Sequence, residues 1–473
     1  MVAIGTFCAP AARGYFANGR WSHTATDGAT DPLGSPVTVT WSLVPDGTTI
    51  PGRGTSSFVA FMDGLFGGGS GTVAERVWFP LVQQSFDRWT ELGGLSFVYE
   101  PADDGVNLGG FAGVIGTRGD VRIGGVLLDG PGGTNAQTGF LDNGDITVDT
   151  GDGAFFGNPA GNSLDFRNTL THEIGHALGL GHIDSTNAAF LMEPFSDDTI
   201  DGPQLDDIRG LHFLYGDAWE RTPAGPNNAA ATATMLGELT PGATLTIGLD
   251  GAGGAAVLPT ETDFASIANN VDEDWFEFTV PAAASLDVTL TPTGPNYFEK
   301  PTGIGSLQLT RSSRISDLSL ELYESDGGEP ELVATANLAP VGQPELLSGI
   351  LLNQDKTYFA RILGDANDVQ LYHLSLATAA AGLPGDFNGD GAVDGGDFLH
   401  WQREAAGALG PADLDAWGRE YGRVVGASAA VPEPSAIACA GAYCVALIGL
   451  FAYGRVRRAR NAPSRCAFRQ RFR

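Results

Sequence analysis

The chain holds seven histidines in 473 residues, and three of them fall within residues 172–182, which read His-Glu-Ile-Gly-His-Ala-Leu-Gly-Leu-Gly-His. His172 and His176 are four residues apart, a spacing that stacks two side chains on one face of a helix. Two imidazoles so placed can take two corners of a zinc tetrahedron. Leu170, Ile174, Ala177 and Leu178 recur at helical spacing on the other side and give the helix a core stripe. Glu173 sits beside the metal face, where it can take a proton from a water at the metal, the general-base role. A third histidine six residues after His176 would lie off that face if the helix continued. Gly179 can adopt a left-handed conformation, end the helix and turn the chain so that His182 reaches the metal. Three neutral nitrogens leave a fourth position for water, the mark of a catalytic rather than a closed structural site. A buried helix with chance histidines is a poor account of this clustering, and a zinc protein that had lost catalysis would not need Glu173.

Elements that could position the stretch lie upstream. Residues 36–45 alternate with β-branched side chains and read as a strand. Residues 74–92 carry Val77, Phe79, Leu81, Phe86, Trp89 and Leu92 at helical spacing, and Gly93-Gly94 ends that helix. Residues 95–99 and 121–128 read as further strands, and Asn162-Ser163 offers a cap for the zinc helix.

The stretch at 172–182 resembles the extended zinc signature of the metzincin metallopeptidases. Phe190-Leu191-Met192-Glu193-Pro194 resembles that family's Met-turn, which puts Met192 beneath the metal, and residues 205–216 resemble the last helix of the matrixin branch. The resemblance covers residues 36–217. It implies an α+β metzincin domain that hydrolyses peptide bonds in protein substrates. Glu193-Pro194-Phe195 departs from the usual matrixin Tyr-Pro run, so substrate preference stays open. Residues 141–152 resemble the matrixin strand before the zinc helix, where the family uses a histidine for a second, structural zinc. Thr147 occupies that place, so no structural zinc is expected. Asp149 and Asp152 offer a calcium site there, or serve as ordinary turn carboxylates. Latency by a propeptide cysteine is not expected, because Cys8 lacks the family's surrounding motif.

The formal charge is −30, and the arginine-rich end conceals a more acidic body: residues 1–431 hold 18 cations against 55 acids, a net of −37. Such a surface argues against nucleic acid as a partner. Asp-Gly-Asp runs suit calcium, whose ligands are oxygens. No cysteine lies between residues 9 and 438, so packing and metal ions must do the work of disulfides. Residues 1–35 form an N-terminal segment; residues 1–12 are apolar but short and lack Lys, and Ala9-Pro10-Ala11 fits a cleavage site. The reading is a truncated signal peptide, with a plain tail as the competing one.

Residues 218–230 are a linker by composition, and 231–380 show short strands between Gly/Pro turns, the pattern of a β-sandwich. Residues 271–278, Val-Asp-Glu-Asp-Trp-Phe-Glu-Phe, resemble the start of a bacterial prepeptidase C-terminal domain, which implies an accessory role. Residues 383–424 contain a second sharp motif. Asp386, Asn388, Asp390, Asp394 and Asp397 supply oxygens at positions one, three, five, nine and twelve of a loop, Ala392 a carbonyl at seven, and Gly391 the turn at six: EF-hand spacing for Ca²⁺. Asp at position twelve resembles a dockerin loop. Residues 410–421 keep a helical pattern but lack a second ligand run, which argues against cohesin binding and for a calcium-stabilised helical module. Residues 431–460 combine Val-Pro-Glu-Pro, nineteen uncharged residues long enough for a transmembrane helix, and four arginines. This order resembles the PEP-CTERM sorting signal of Gram-negative bacteria. It implies export, transient anchoring in the inner membrane and processing by an exosortase. The sequence thus predicts an exported zinc endopeptidase with calcium modules; the alternative is a catalytically idle surface or matrix protein acting through its sandwich and calcium module.

Overall fold

Val39, Trp41 and Leu43 alternate with shorter residues along one strand, and all three are buried. That strand anchors the sheet of the first half of the chain. The computed structural model describes residues 14–139, 141–382, 384–388, 392–404 and 411–423. The N-terminal segment to Ala12, Asp390 of the calcium loop, and the sorting signal with its apolar span from Val431 lie outside the described residues. Among the described residues no helix is long and apolar enough to cross a membrane.

In chain order the first half contains β1 (Phe16–Ala17), β2 (Val37–Leu43), α1 (Phe58–Phe66), α2 (Phe79–Leu92), β3 (Leu95–Tyr99), β4 (Val121–Val126), β5 (Ala136–Thr138), β6 (Ile146–Asp149), α3 (Ala160–Ala177), β7 (Leu180–Gly181), β8 (Ile183–Ser185) and α4 (Leu205–Tyr215). Its main sheet runs β3-β2-β4-β6-β5. The first four strands are parallel, and β5 lies antiparallel on the edge beside β6. Helices α2 and α3 pack together through Phe86, Trp89, Phe166, Leu170 and Ile174, all buried in one apolar core. Trp89 Nε1 donates to the Thr171 carbonyl at 2.9 Å and fixes the two helices side by side. This is the α+β arrangement expected for a metzincin domain.

The start of α3 differs from the sequence reading. Gly161, Asn162 and Ser163 all have left-handed backbone angles, with φ of 59°, 58° and 57°, and no side-chain cap bond is made. Arg167 instead holds the turn, donating to the Gly161 and Asn162 carbonyls at 3.0 Å each. A left-handed run of two non-glycine residues is strained, and no sequence pattern announces it.

The second half is the expected sandwich. One sheet runs β9 (Thr234–Glu238), β12 (Glu273–Thr279), β19 (Thr357–Gly364), β16 (Leu318–Ser325), β17 (Glu331–Ala336). The other runs β10 (Thr244–Ile247), β20 (Gln370–Ala380), β13 (Ala284–Pro292), β18 (Glu345–Leu352), with β11 (Ala265–Ile267) also on β20. Phe276, Phe278, Leu286, Val288, Leu320 and Leu374 fill the space between them. One hairpin, β14 (Asn296–Pro301) and β15 (Gln308–Arg311), leaves the sandwich and pairs with β8 of the first half.

Residues 14–381 form one compact unit and the chain from Gly382 a second. Within the composition-defined linker Glu220 and Asn227 are fully buried, as is Asp217 just before it, while the other linker residues are exposed or half-buried. Helix α4 is buried on every side. Its Arg209 donates to Tyr297 Oη at 2.9 Å and pairs with Asp206 and Asp368, while His212 meets Ser266 Oγ at 2.9 Å and the Leu92 carbonyl at 2.7 Å. In the second unit α5 (Gly395–Glu404) and α6 (Pro411–Glu420) meet through Phe398 and Trp417, whose rings are 5.1 Å apart.

Candidate active site

Helix α3 ends at Ala177, and Gly179 follows with φ of 102°, so the left-handed glycine turn expected from the sequence is present. A side chain there would strike the Gly19 carbonyl at 2.0 Å. The chain then runs as β7 against β1 and delivers His182 to the face that carries His172 and His176. His182 Nε2 lies 3.1 Å from His172 Nε2 and 2.9 Å from His176 Nε2.

The other nitrogens fix which atoms face the centre. His172 Nδ1 lies 2.6 Å from the Leu191 carbonyl, and His176 Nδ1 lies 2.8 Å from the Leu180 carbonyl. A carbonyl only accepts, so each Nδ1 carries the proton and each Nε2 turns a lone pair inward. His182 Nε2 faces both of these lone pairs, at 3.1 and 2.9 Å, and has at most one proton to give, so protons cannot satisfy all three nitrogens. A cation resolves the repulsion. Zinc–nitrogen bonds of about 2.0–2.1 Å set tetrahedral ligands roughly 3.3 Å apart, near the observed separations. Burial lowers the pKa of His172, and lowers those of His176 and His182 to about 4, so the rings are neutral donors at physiological pH. The triad fits a zinc site.

Glu173 is buried beside the triad. Burial raises the pKa of its carboxyl, opposed by a hydrogen bond from Thr138 and by the charge of His176. Thr138 Oγ1 on β5 donates to Glu173 Oε2 and lies 3.1 Å from the Glu173 carbonyl. Thr138 is 35 residues away in sequence and carries no motif, so sequence reasoning missed it.

Met192 lies against the zinc helix, 2 % exposed. A methyl on Gly175 would come within 2.5 Å of its sulfur. The turn is held by Asp207 of α4, whose carboxylate accepts from Leu191 N at 2.7 Å, Met192 N at 3.1 Å and Gln204 N at 2.8 Å. Burial pushes that carboxyl up to about 7 despite these bonds.

Two clefts flank the histidines. One, of about 620 Å³, lies between residues 131–136, the zinc face and the segment 193–197, with Phe195 84 % exposed at its rim. The other, of about 570 Å³, is lined by Thr138, His176, His182 and Thr302.

Asp149 and Asp152 are not members of the triad, though Asp152 lines the first cleft. Burial opposes ionisation of Asp149, but its oxygens accept four backbone N–H groups, from Leu128, Asp129, Gly130 and Gly151, and its pKa is lowered. Those bonds occupy it as a loop organiser. Asp152 accepts from Gly132 N at 2.8 Å and keeps its buried Oδ2 free of protein donors. In the second unit Asp397 is buried and accepts from Phe387 N, Asn388 N and Asp394 N at 2.7, 3.1 and 2.8 Å, at the centre of the loop that also carries Asp386 and Ala392.

Residues 72–216 match the family model of the matrixins. Matrix metalloproteinase-25 of Mus musculus is 36% identical over 108 residues, 21% of this chain and 17% of the relative. Its Homo sapiens counterpart is 37% identical over 100 residues, 19% of this chain and 17% of the relative. The chain therefore spans under a fifth of the length of either. Among solved structures, the pre-peptidase C-terminal domain of a Bacillus anthracis collagenase aligns at 13% identity and a TM-score of 0.18, covering 30% of this chain and 95% of that one. The matrixin match and the histidine triad support a zinc metallopeptidase in general.

Proposed function

We propose that the protein is an exported zinc-dependent endopeptidase that cleaves extracellular proteins, with Glu173 as general base. The observation that carries this reading is the convergence of three inward-facing Nε2 atoms beside one buried carboxylate. His172, His176 and His182 would hold the metal. Zinc, when bound, polarises the scissile carbonyl and makes a water acidic enough to attack near neutral pH.

The protein's own groups do the rest. Glu173 takes a proton from the attacking water and passes it to the leaving amine. A carboxyl whose pKa is raised by burial is suited to both tasks, since it holds the proton long enough to return it. Thr138 keeps that carboxylate turned toward β5. Strand β5 ends its sheet, and an edge strand offers unpaired backbone groups to an extended peptide. A substrate strand added there crosses the histidine face.

The test is Glu173→Ala. Casein zymography should lose the band entirely, while elemental analysis still finds one zinc per chain. Full proteolysis by this variant refutes the general-base role. A wild-type protein inactive with zinc and calcium supplied refutes the peptidase reading and favours the idle surface protein.

The loop at residues 386–397 is proposed to bind a stabilising Ca²⁺, supported by its oxygen-bearing side chains at EF-hand spacing. Export, anchoring and exosortase processing through residues 431–460 belong to the same proposal. Deleting residues 431–473 and following the protein by cell fractionation tests it: an unchanged distribution refutes it.

A further inference from the structure

We infer that the hairpin formed by β14 and β15 is a substrate-binding wall of the catalytic cleft, taking apolar residues N-terminal to the scissile bond. The inference rests on the peptidase reading above and assigns the sandwich a direct part in specificity.

The hairpin is built into the strand that follows the third histidine. In β14, Tyr297 and Glu299 turn inward and are buried, and Phe298 turns outward. Ile183, Asp184 and Ser185 of β8 pair with Pro301, Lys300 and Glu299. The register continues one residue further, where Thr302 N donates to the His182 carbonyl at 2.9 Å. Thr302 Oγ1 also donates to Asp184 Oδ1 at 2.7 Å, and Lys300 Nζ lies 3.1 Å from Asp184 Oδ2. The turn is thus clamped at its base to the residue that supplies a metal-ligating nitrogen.

This clamping sets Thr302 in the wall of the second cleft, opposite Thr138 and alongside His176 and His182. Beyond Thr302 the tip stands clear of the body. Gly303 and Gly305 have φ of 73° and 70°, and nothing lies within 4 Å of a side chain built on either. Between and after them Ile304 is 56% exposed and Leu307 37%. These two exposed aliphatic side chains follow Thr302, the hairpin residue that lines the cleft, within five positions, and are suited to cover an apolar stretch of substrate.

The direction is part of the inference, which takes the substrate strand as antiparallel to β5. The strand runs from Ala136, in the cleft beside Glu193, to Thr138, in the cleft beside Thr302. A peptide added antiparallel to β5 runs the other way. It enters past the hairpin and leaves past the Met-turn, so the hairpin meets the residues that precede the scissile bond.

The experiment uses the full chain and two fluorogenic peptides with the same scissile bond. The long one carries four apolar residues before that bond, and the short one is acetyl-capped after the first. In the Ile304→Ser, Leu307→Ser double variant, the ratio of kcat/KM for long over short peptide should fall about tenfold, through KM. An unchanged ratio, or an equal loss on both peptides, overturns the inference. If the wild type cleaves neither peptide nor casein, the peptidase reading fails, and the hairpin is still decided by fluorescence anisotropy. An approximately tenfold weaker Kd for the labelled long peptide supports it, and equal affinity overturns it.

Discussion

Gly175→Ala and Gly64→Ala make the same chemical change in two helices and should act in opposite directions. Both glycines lie inside helices, α3 and α1, with ordinary helical backbone, and replacing glycine by alanine in a helix interior gains about 0.8–1.0 kcal/mol. At Gly64 nothing lies within 4 Å of the added methyl, so this gain should appear almost whole, as about 0.5–1 kcal/mol of stabilisation. At Gly175 the methyl meets Met192 Sδ at 2.5 Å, Met192 Cε at 3.2 Å and Trp89 Cζ2 at 3.1 Å. A carbon–sulfur contact must open by more than 1 Å, and Met192 and Trp89 are both buried and cannot retreat into solvent. Overpacking of this kind costs about 1–3 kcal/mol or more, which exceeds the helical gain. The net expectation is destabilisation by up to about 2 kcal/mol. Because Met192 underlies the zinc helix, metal should also leave the variant faster. Urea unfolding measures the first quantity, and transfer of zinc to a chromophoric chelator the second. A Gly175→Ala protein as stable as the parent, with parental zinc release, would refute the claim that this glycine exists to admit the methionine.

Asp207→Ala strands three buried backbone N–H groups, at Leu191, Met192 and Gln204. At about 1–3 kcal/mol each the variant should lose at least about 3 kcal/mol in urea unfolding at pH 6, and a loss under about 1 kcal/mol would contradict the assignment. The second prediction concerns pH. Asp217, Glu220, Asp272 and Asp274 are buried together, and burial with mutual repulsion raises every carboxyl, to about 7 for Asp217 and about 6 for Asp272. Acids raised in the folded state bind protons more tightly there, so their contribution to stability is complete below about pH 4 and is lost as pH rises through 6 to 7. Asp274→Asn should flatten that slope and raise Tm at pH 8. An unchanged or lower Tm at pH 8 would refute the claim that burying this carboxyl costs stability there.

What the sequence disclosed about the site was local. The zinc signature is a matter of spacings of four and six residues around one glycine, and these depend only on helix geometry and on where a left-handed turn is allowed. The sandwich strands and the main helices were legible for the same reason: their apolar periods are internal to each segment. Long-range partners were not legible. Thr138, Asp207 and Thr302 reach the site only because strands far apart in sequence are paired, and no property of a lone threonine or aspartate forecasts that. The misread helix start has a related cause. Asn162 and Ser163 are good caps by type, but Arg167 and its two carbonyl partners draw them into a left-handed turn. Residues 218–230 are rich in Ala, Pro and Asn and mostly exposed or half-buried, yet Glu220 and Asn227 among them are fully buried.

Helix α4 has no outward face, and Tyr297, Val369 and Leu371 of the sandwich belong to the same apolar core as the zinc helix. Severing the chain after residue 217 would therefore strip α4 of its cover, leaving Arg209 without Tyr297 and Asp368 and a bare adhesive stripe on the remnant. Such a fragment would be prone to aggregate. To stay soluble without residues 218–381, the first half would need that stripe rewritten in polar residues.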